Sequence, residues 1–191
     1  MQKELHYSSE IKSSVAMTVT LISFSMLFAT LMLGYVVYRS TLPSWPPTGM
    51  GELPLGLPIL STLTIMLSSL LLTFCESNFS KGLVKVSKVF LNLSFLMGLS
   101  FLILQFFLWE SLKVKGIYAS SGIFGSLIYG LTWIHAAHIL GGLGLLLWAR
   151  IKILPREFED NTQVLKLKSV GLFWHFLGVV WIVMFVGLFL V

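Results

Sequence analysis

Residues 116–149 read GIYASSGIFGSLIYGLTWIHAAHILGGLGLLLWA, a stretch without Asp, Glu, Lys or Arg. A helix rises 1.5 Å per residue, so about 20 apolar residues cross the roughly 30 Å hydrocarbon core of a bilayer. The stretch is too long for one span and too short for two. We therefore predict that the chain meets the membrane surface at about 118–121 and then forms one transmembrane helix at about 123–148.

Four more uncharged runs of spanning length lie at 15–38, 53–75, 89–109 and 169–191. The composition agrees with this pattern, because 56% of the 191 residues are hydrophobic, 11% are charged and the mean hydropathy is +0.89. A soluble domain carries about 25% charged residues. We predict an all-α membrane protein, a single transmembrane domain over 1–191. Its bundle of five transmembrane helices is expected at about 15–38, 55–75, 89–110, 123–148 and 169–191.

The net charge of +5 is distributed as a topology signal rather than as a nucleic-acid-binding surface. Lys and Arg total ten in the N-terminal segment and the 76–88 and 150–168 loops, against three in the other two connections. The positive-inside rule then places the N-terminus in the cytoplasm and the C-terminus outside. We expect no nucleic-acid partner. The basic loops should attract anionic phospholipid, at about 1 kcal/mol per residue near the surface.

Three histidines at membrane depth are candidate functional residues, because an ionisable side chain in a span is costly unless it has a partner. His135 and His138 lie in the fourth span and His175 in the fifth, with His138 and His175 at similar predicted depth. Such residues can form structural hydrogen bonds, hold a lipid headgroup, or ligate haem iron or copper. We favour a buried structural cluster, since nothing in the sequence secures a haem cavity or a third copper ligand.

Four further residues complete the set of candidates. Gln105 is predicted to make an interhelical hydrogen bond, and Glu110 to lie hydrated at the outer end of the third span. Trp174 and Trp181 flank the histidine of the fifth span and are expected to anchor its packing. No carboxylate lies at the middle of a span, which argues against an independent transporter, channel or proton pump.

Two rows of small residues indicate close helix contacts, because small side chains let helix backbones approach in lipid. We favour packing within the bundle for both rows, with contact to a partner subunit as the alternative. The rows are Gly122, Ser126 and Gly130 in the fourth span, and Gly171 and Gly178 around His175 in the fifth.

The last two spans carry motifs that resemble subunit III of the haem-copper oxidases, the cytochrome c oxidase subunit 3 family. The segments SGIFGS at 121–126 and TWIHAAH at 132–138 resemble the family pattern D/S-G-I/V-Y/F-G-S followed by T-G-F-H-G-L-H. The segment FWHFLGVVW at 173–181 is similar to W-Y-W-H-F-V-D-V-V-W. Upstream, SFSMLFA at 23–29 aligns with S-E-V-M-F-F-A, and WPP at 45–47 resembles the connector that follows. Length and span number resemble the short five-helix bacterial form.

The resemblance implies a non-catalytic accessory subunit of a respiratory terminal oxidase, which couples O2 reduction to proton translocation. Such a chain holds no catalytic, cofactor or metal site, and haem and copper reside in partner subunits I and II. It would stabilise subunit I, support proton uptake and bind phospholipids. Cytochrome c or quinol would donate electrons to the complex rather than to this chain. The implied location is the bacterial cell (inner) membrane.

Three departures from the family pattern leave other functions open. The family's glutamate in S-E-V-M is Phe24, its aspartate in W-H-F-V-D is Gly178, and a glutamate after the Gln105 position is Leu108, with Glu110 two residues later. One alternative is a subunit III-like component of a quinol oxidase or nitric oxide reductase system. An alternative of another class is a small membrane cytochrome or copper protein that uses the three histidines.

Overall fold

The computed structural model describes residues 2–42, 53–155 and 161–190, with side chains from residue 15 onward except that of residue 161. Within these residues the chain forms five α-helices and no strand. Wide π-helical turns follow the fourth and fifth helices at Ala149–Ile153 and Val186–Leu190. The helices are α1 (Gln2–Ser40), α2 (Gly56–Ser80), α3 (Val84–Val114), α4 (Gly122–Trp148) and α5 (Asn161–Phe185).

Each of the five helices is long and apolar enough to cross a bilayer. Their candidate spans contain 25 to 32 residues, which at 1.5 Å per residue exceed the roughly 30 Å of the hydrocarbon core. The prediction of an all-α multi-pass membrane bundle is confirmed. The expected surface segment before the fourth span is a turn region, with α4 starting at Gly122. The WPP segment at 45–47 lies outside the described residues.

The helices extend beyond the uncharged runs at most of their ends. The structure continues α2 to Ser80 and starts α3 at Val84, so the cytoplasmic loop predicted at 76–88 is only a short turn. Gly82 in this turn has φ of 77°, a left-handed conformation that glycine adopts without strain. A charged residue marks the edge of the membrane and does not end a helix, which is why hydropathy alone gave helices that were too short.

The helices α2 and α3 form an antiparallel hairpin held by a buried pair of serines. Ser68 Oγ donates to Ser94 O at 2.7 Å, and Ser94 Oγ donates to Ser68 O at 2.8 Å. Both serines are fully buried. Reciprocal hydroxyl-to-carbonyl bonds between helices, made by small residues, fix the separation and the register of the hairpin in an apolar solvent.

Trp174 of α5 lies at the centre of the bundle and is 1% exposed. Its ring fits against two glycines: a Cβ on Gly98 of α3 would lie 2.7 Å from Trp174 Cη2, and one on Gly142 of α4 would lie 2.9 Å from Cε3. The indole Nε1 donates to Ser68 Oγ at 3.1 Å. One side chain therefore joins α5 to three other helices.

Helix α1 packs on the edge of the bundle, and most of its described side chains are exposed. Its main buried side chains are Phe28 and Tyr35. Tyr35 donates its hydroxyl to Gly187 O at 2.9 Å, within the π-helical turn after α5. Between α1 and α5 lies an apolar cleft of about 210 Å³, lined by residues such as Met32, Phe176 and Val183.

Candidate functional site

His135 is fully buried in an aromatic enclosure formed by three other helices. Its ring stacks on Trp181 of α5 at a centroid distance of 5.6 Å and meets Phe28 of α1 and Phe101 of α3 edge-on at 5.8 and 5.9 Å. Neither ring nitrogen has a hydrogen-bond partner among the described residues. A charged imidazolium in such an apolar enclosure is strongly disfavoured, so His135 is best described as a neutral side chain.

His138 lies one turn further along α4 and hydrogen-bonds within its own helix. Its Nδ1 lies 2.6 Å from Ile134 O, which requires the proton on Nδ1 because a carbonyl oxygen only accepts. Its ring meets Phe24 at a centroid distance of 4.3 Å and Phe28 at 5.3 Å. Phe24 occupies the motif position at which the resembling family has glutamate. His138 therefore has an aromatic neighbour at the position where a glutamate could pair with its imidazole.

His175 belongs to a different contact, the seam between α2 and α5. Its Nδ1 is hydrogen-bonded to Ser69 Oγ, and the residue is only partly buried. The three histidines predicted as one cluster thus divide into two groups. His135 and His138 share Phe28 of α1 as a neighbour, whereas His175 bonds to Ser69 of α2.

The two tryptophans of α5 are buried and each donates a hydrogen bond to α2. Trp174 Nε1 donates to Ser68 Oγ at 3.1 Å and Trp181 Nε1 donates to Thr62 Oγ1 at 3.0 Å. A buried indole N–H needs such a partner, because an orphaned donor in an apolar medium is costly. The two bonds, seven residues apart on α5, align this helix along α2.

Gln105 and Glu110 differ sharply in their surroundings although both lie on α3. Gln105 is 1% exposed, and in the described part of the chain neither of its amide atoms has a hydrogen-bond partner. Glu110 lies near the C-terminal end of α3 with its side chain 46% exposed, and it accepts from Lys113 Nζ at 2.6 Å. An exposed pair of this kind contributes little to stability. The interhelical bond predicted for Gln105 does not form to any described protein group.

Glu76 is a buried polar residue that the sequence reading missed. It lies inside α2, five residues before Lys81, and its Oε1 is buried without a hydrogen-bond partner from the described residues. The carboxylate packs directly on Gly171 of α5, where a Cβ would overlap Oε1. The sequence did contain a signal for this contact. Glu76 directly follows the second apolar run, and Gly171 lies near the start of the fifth.

The two rows of small residues have opposite surroundings. The α5 row packs inside the bundle, as expected, with Gly171 against Glu76 and Gly178 near Ile65. The α4 row does not: Gly122 and Ser126 are exposed, and a Cβ on Gly130 would meet no atom within 4 Å. The packing within the bundle that we favoured for the α4 row is therefore not what the structure has.

Metal-ligating side chains do not converge in the part of the chain that the structure describes. No group of three or more His, Cys, Asp or Glu residues is placed to hold a metal ion there. Cys75 is a buried free thiol in α2. The histidines make aromatic, carbonyl and hydroxyl contacts in two separate places.

Comparison with known proteins gives one consistent match. The family model described as cytochrome c oxidase subunit III matches residues 6–191. The cytochrome c oxidase subunit 3 of the cyanobacterium Synechocystis sp. is 31% identical over 174 residues, which cover 89% of this chain and 72% of that protein. The proteins of the same name from Chondrus crispus and Loxodonta africana are 30% and 29% identical over 146 residues. The aligned regions cover 52% and 54% of those two proteins, so the match spans about half of their length.

Proposed function

The chain belongs to the cytochrome c oxidase subunit III family, and from that membership we propose that it is a non-catalytic accessory subunit of a respiratory haem-copper terminal oxidase. It associates with the haem- and copper-bearing subunit I and with subunit II in a bacterial inner membrane, where the complex reduces O2 and translocates protons. The observation that carries the proposal is the family match over residues 6–191.

The internal contacts of the histidines support a role in stability rather than in electron transfer. His135 is enclosed by aromatic rings, His138 bonds to a backbone carbonyl and His175 bonds to a serine. His135 thereby contacts α1, α3 and α5 from α4, and His175 links α5 to α2. In this proposal the chain itself carries no electrons and supports subunit I during turnover and proton uptake.

The stabilising role predicts which kinetic quantity changes when a histidine is removed. His175→Ala should lower assembly of the complex, or its resistance to inactivation during turnover, more than it lowers the initial rate, because the residue contacts no reacting group. The measurement is oxygen consumption followed over many turnovers at equal haem content. A full loss of the initial rate in an assembled complex would show that the role is different.

The open face of α4 is the surface that we propose for docking of subunit I. Small residues continue along this exposed face beyond Gly130 to Ala137, Gly141 and Gly144. A Cβ on Gly130, Gly141 or Gly144 would meet no atom of this chain within 4 Å. In lipid, where the hydrophobic effect does not drive helix association, such small-residue faces allow the close backbone approach that holds helices together.

Bulky substitutions on this face test the docking proposal against a matched control. Gly130→Leu and Gly141→Leu add side chains where this chain has space, so the chain should still insert and fold. Gly34 on α1 also has nothing within 4 Å, and Gly34→Leu serves as the control. We expect the α4 variants to reduce co-purification of subunit I at least tenfold and the α1 variant to leave it unchanged. Equal recovery with all three variants would exclude this face.

The apolar cleft between α1 and α5 supports the proposal of a bound phospholipid. Its volume of about 210 Å³ and its nearly wholly apolar lining suit part of an acyl chain rather than a polar ligand. Lipid extraction from the purified chain, followed by mass spectrometry, tests this. Filling the cleft by Ala29→Phe should lower the amount of retained phospholipid.

A further inference from the structure

Besides Glu76, three polar side chains in the bundle interior have buried atoms without a hydrogen-bond partner from the described chain. Other buried hydroxyl groups have partners: Ser87 donates to Leu83 O at 3.0 Å and Thr132 donates to Ile128 O at 2.8 Å. Lipid offers no hydrogen bonds, so an orphaned polar atom is more costly here than at a wet surface. The three are Ser61 Oγ, both amide atoms of Gln105 and both ring nitrogens of His135, in residues at most 1% exposed.

Gln105 and His135 are brought to the same level by contacts on either side of them. On α3, Gln105 lies one turn from Phe101, whose ring meets His135 at 5.9 Å. One turn in the other direction is Trp109, whose Nε1 donates to Thr132 Oγ1 at 3.1 Å, and Thr132 precedes His135 by one turn of α4. The antiparallel register of α3 and α4 therefore places the two side chains at the same depth in the bundle, both fully buried.

Ser61 reaches this level from α2 through Trp181. The indole of Trp181 stacks on His135 at 5.6 Å and donates to Thr62 Oγ1 at 3.0 Å. Ser61 is the neighbour of Thr62 and is fully buried. Buried polar groups from α2, α3 and α4 thus lie at one depth of the interior, where the rings of Phe28, Phe101 and Trp181 surround His135.

We propose that this level of the interior holds an internal water-binding site, with the Gln105 amide and the His135 imidazole as its principal partners and Ser61 Oγ as a third. A buried water makes two to four hydrogen bonds, and the amide, imidazole and hydroxyl groups of the site supply both donors and acceptors. A cation fits this set poorly, because an amide, a hydroxyl and a neutral imidazole carry no charge to replace its hydration. The water completes hydrogen bonds that the helices cannot make to one another.

Magnetic resonance on the full-length chain in lipid bicelles tests for the water directly. With ¹⁵N-labelled histidine, magnetisation should pass from water to the His135 ring, assigned with His135→Phe, and this transfer should be lost in Gln105→Met. His138, whose Nδ1 bonds to Ile134 O, gives the reference signal in both samples. A His135 ring that exchanges no magnetisation with water, or that couples directly to the Gln105 amide, would overturn the proposal.

The sign of a stability change gives a second test. Where a water links the two residues, Gln105→Met removes one of its partners, and the melting midpoint in mild detergent should fall by about 2–4 °C. Leu108→Met, one turn away on the same buried face of α3, controls for the methionine. The double variant Gln105→Met/His135→Phe should fall by less than the sum of the two single variants, because they share the water. A rise in the midpoint with Gln105→Met would mean that the amide had no partner, and would also overturn the proposal.

Discussion

Replacing Gly98 by alanine should destabilise the bundle, because the Trp174 ring occupies the space of the added methyl group. The new Cβ would lie 2.7 Å from Trp174 Cη2 and 2.8 Å from Leu143 Cδ2. Carbon atoms in contact lie about 3.5–4.0 Å apart, so the indole must move by about 1 Å. The indole cannot move freely, since Gly142 holds its other edge and Ser68 accepts from its Nε1.

Overpacking of this kind costs about 1–3 kcal/mol, and the better helix propensity of alanine returns up to about 1 kcal/mol. The net loss of about 1–2 kcal/mol corresponds to a fall of about 2–8 °C in the melting midpoint for a chain of this size. Scanning fluorimetry of the purified chain in mild detergent measures it. Gly130→Ala is the matched control, since its Cβ meets nothing within 4 Å, and its midpoint should stay unchanged or rise. Equal midpoints for the two variants would refute the central packing of Trp174.

Two other substitutions test neighbouring contacts. Phe24→Glu should be tolerated better than Met26→Glu, because a charge at the bilayer centre costs about 2.5–3.5 kcal/mol without a partner. The ring of Phe24 lies 4.3 Å from that of His138 by centroid, whereas Met26 is 66% exposed. Membrane-inserted protein levels measure this, and equal levels would count against the pairing. Gly171→Ala should lower the melting midpoint because its Cβ overlaps the Glu76 carboxylate, and Glu76→Ala in the same chain should restore it. A double variant no more stable than Gly171→Ala alone would disprove that contact.

The number and approximate position of the spans followed from the sequence. Charged residues are costly in lipid, so long uncharged runs mark the spans directly. The extent of the helices did not follow. Lys85 and Lys88 lie outside the third apolar run but inside α3, since the helix continues into the polar surface region. Glu76 was assigned to a loop for the same reason, and its contact with Gly171 depends on the register of α2 against α5.

The partners of the polar residues were less predictable than their burial. Spacing placed Gly122, Ser126 and Gly130 on one face of a helix, but periodicity does not say whether that face meets a neighbour in the same chain. The structure leaves the face open. Depth along the helices suggested that His138 and His175 could meet, yet rotation about each axis directs one toward Phe24 and the other toward Ser69.

The most direct test of the proposed function is the composition of the complex that the tagged chain brings out of its native membrane in mild detergent. We predict that a haem-bearing subunit I co-purifies in near-equal amount, that the haem spectrum belongs to this partner, and that the preparation consumes oxygen. The chain expressed alone should show no haem spectrum. Recovery of the chain as a free monomer from native membranes, or a haem spectrum from the chain alone, would contradict the account.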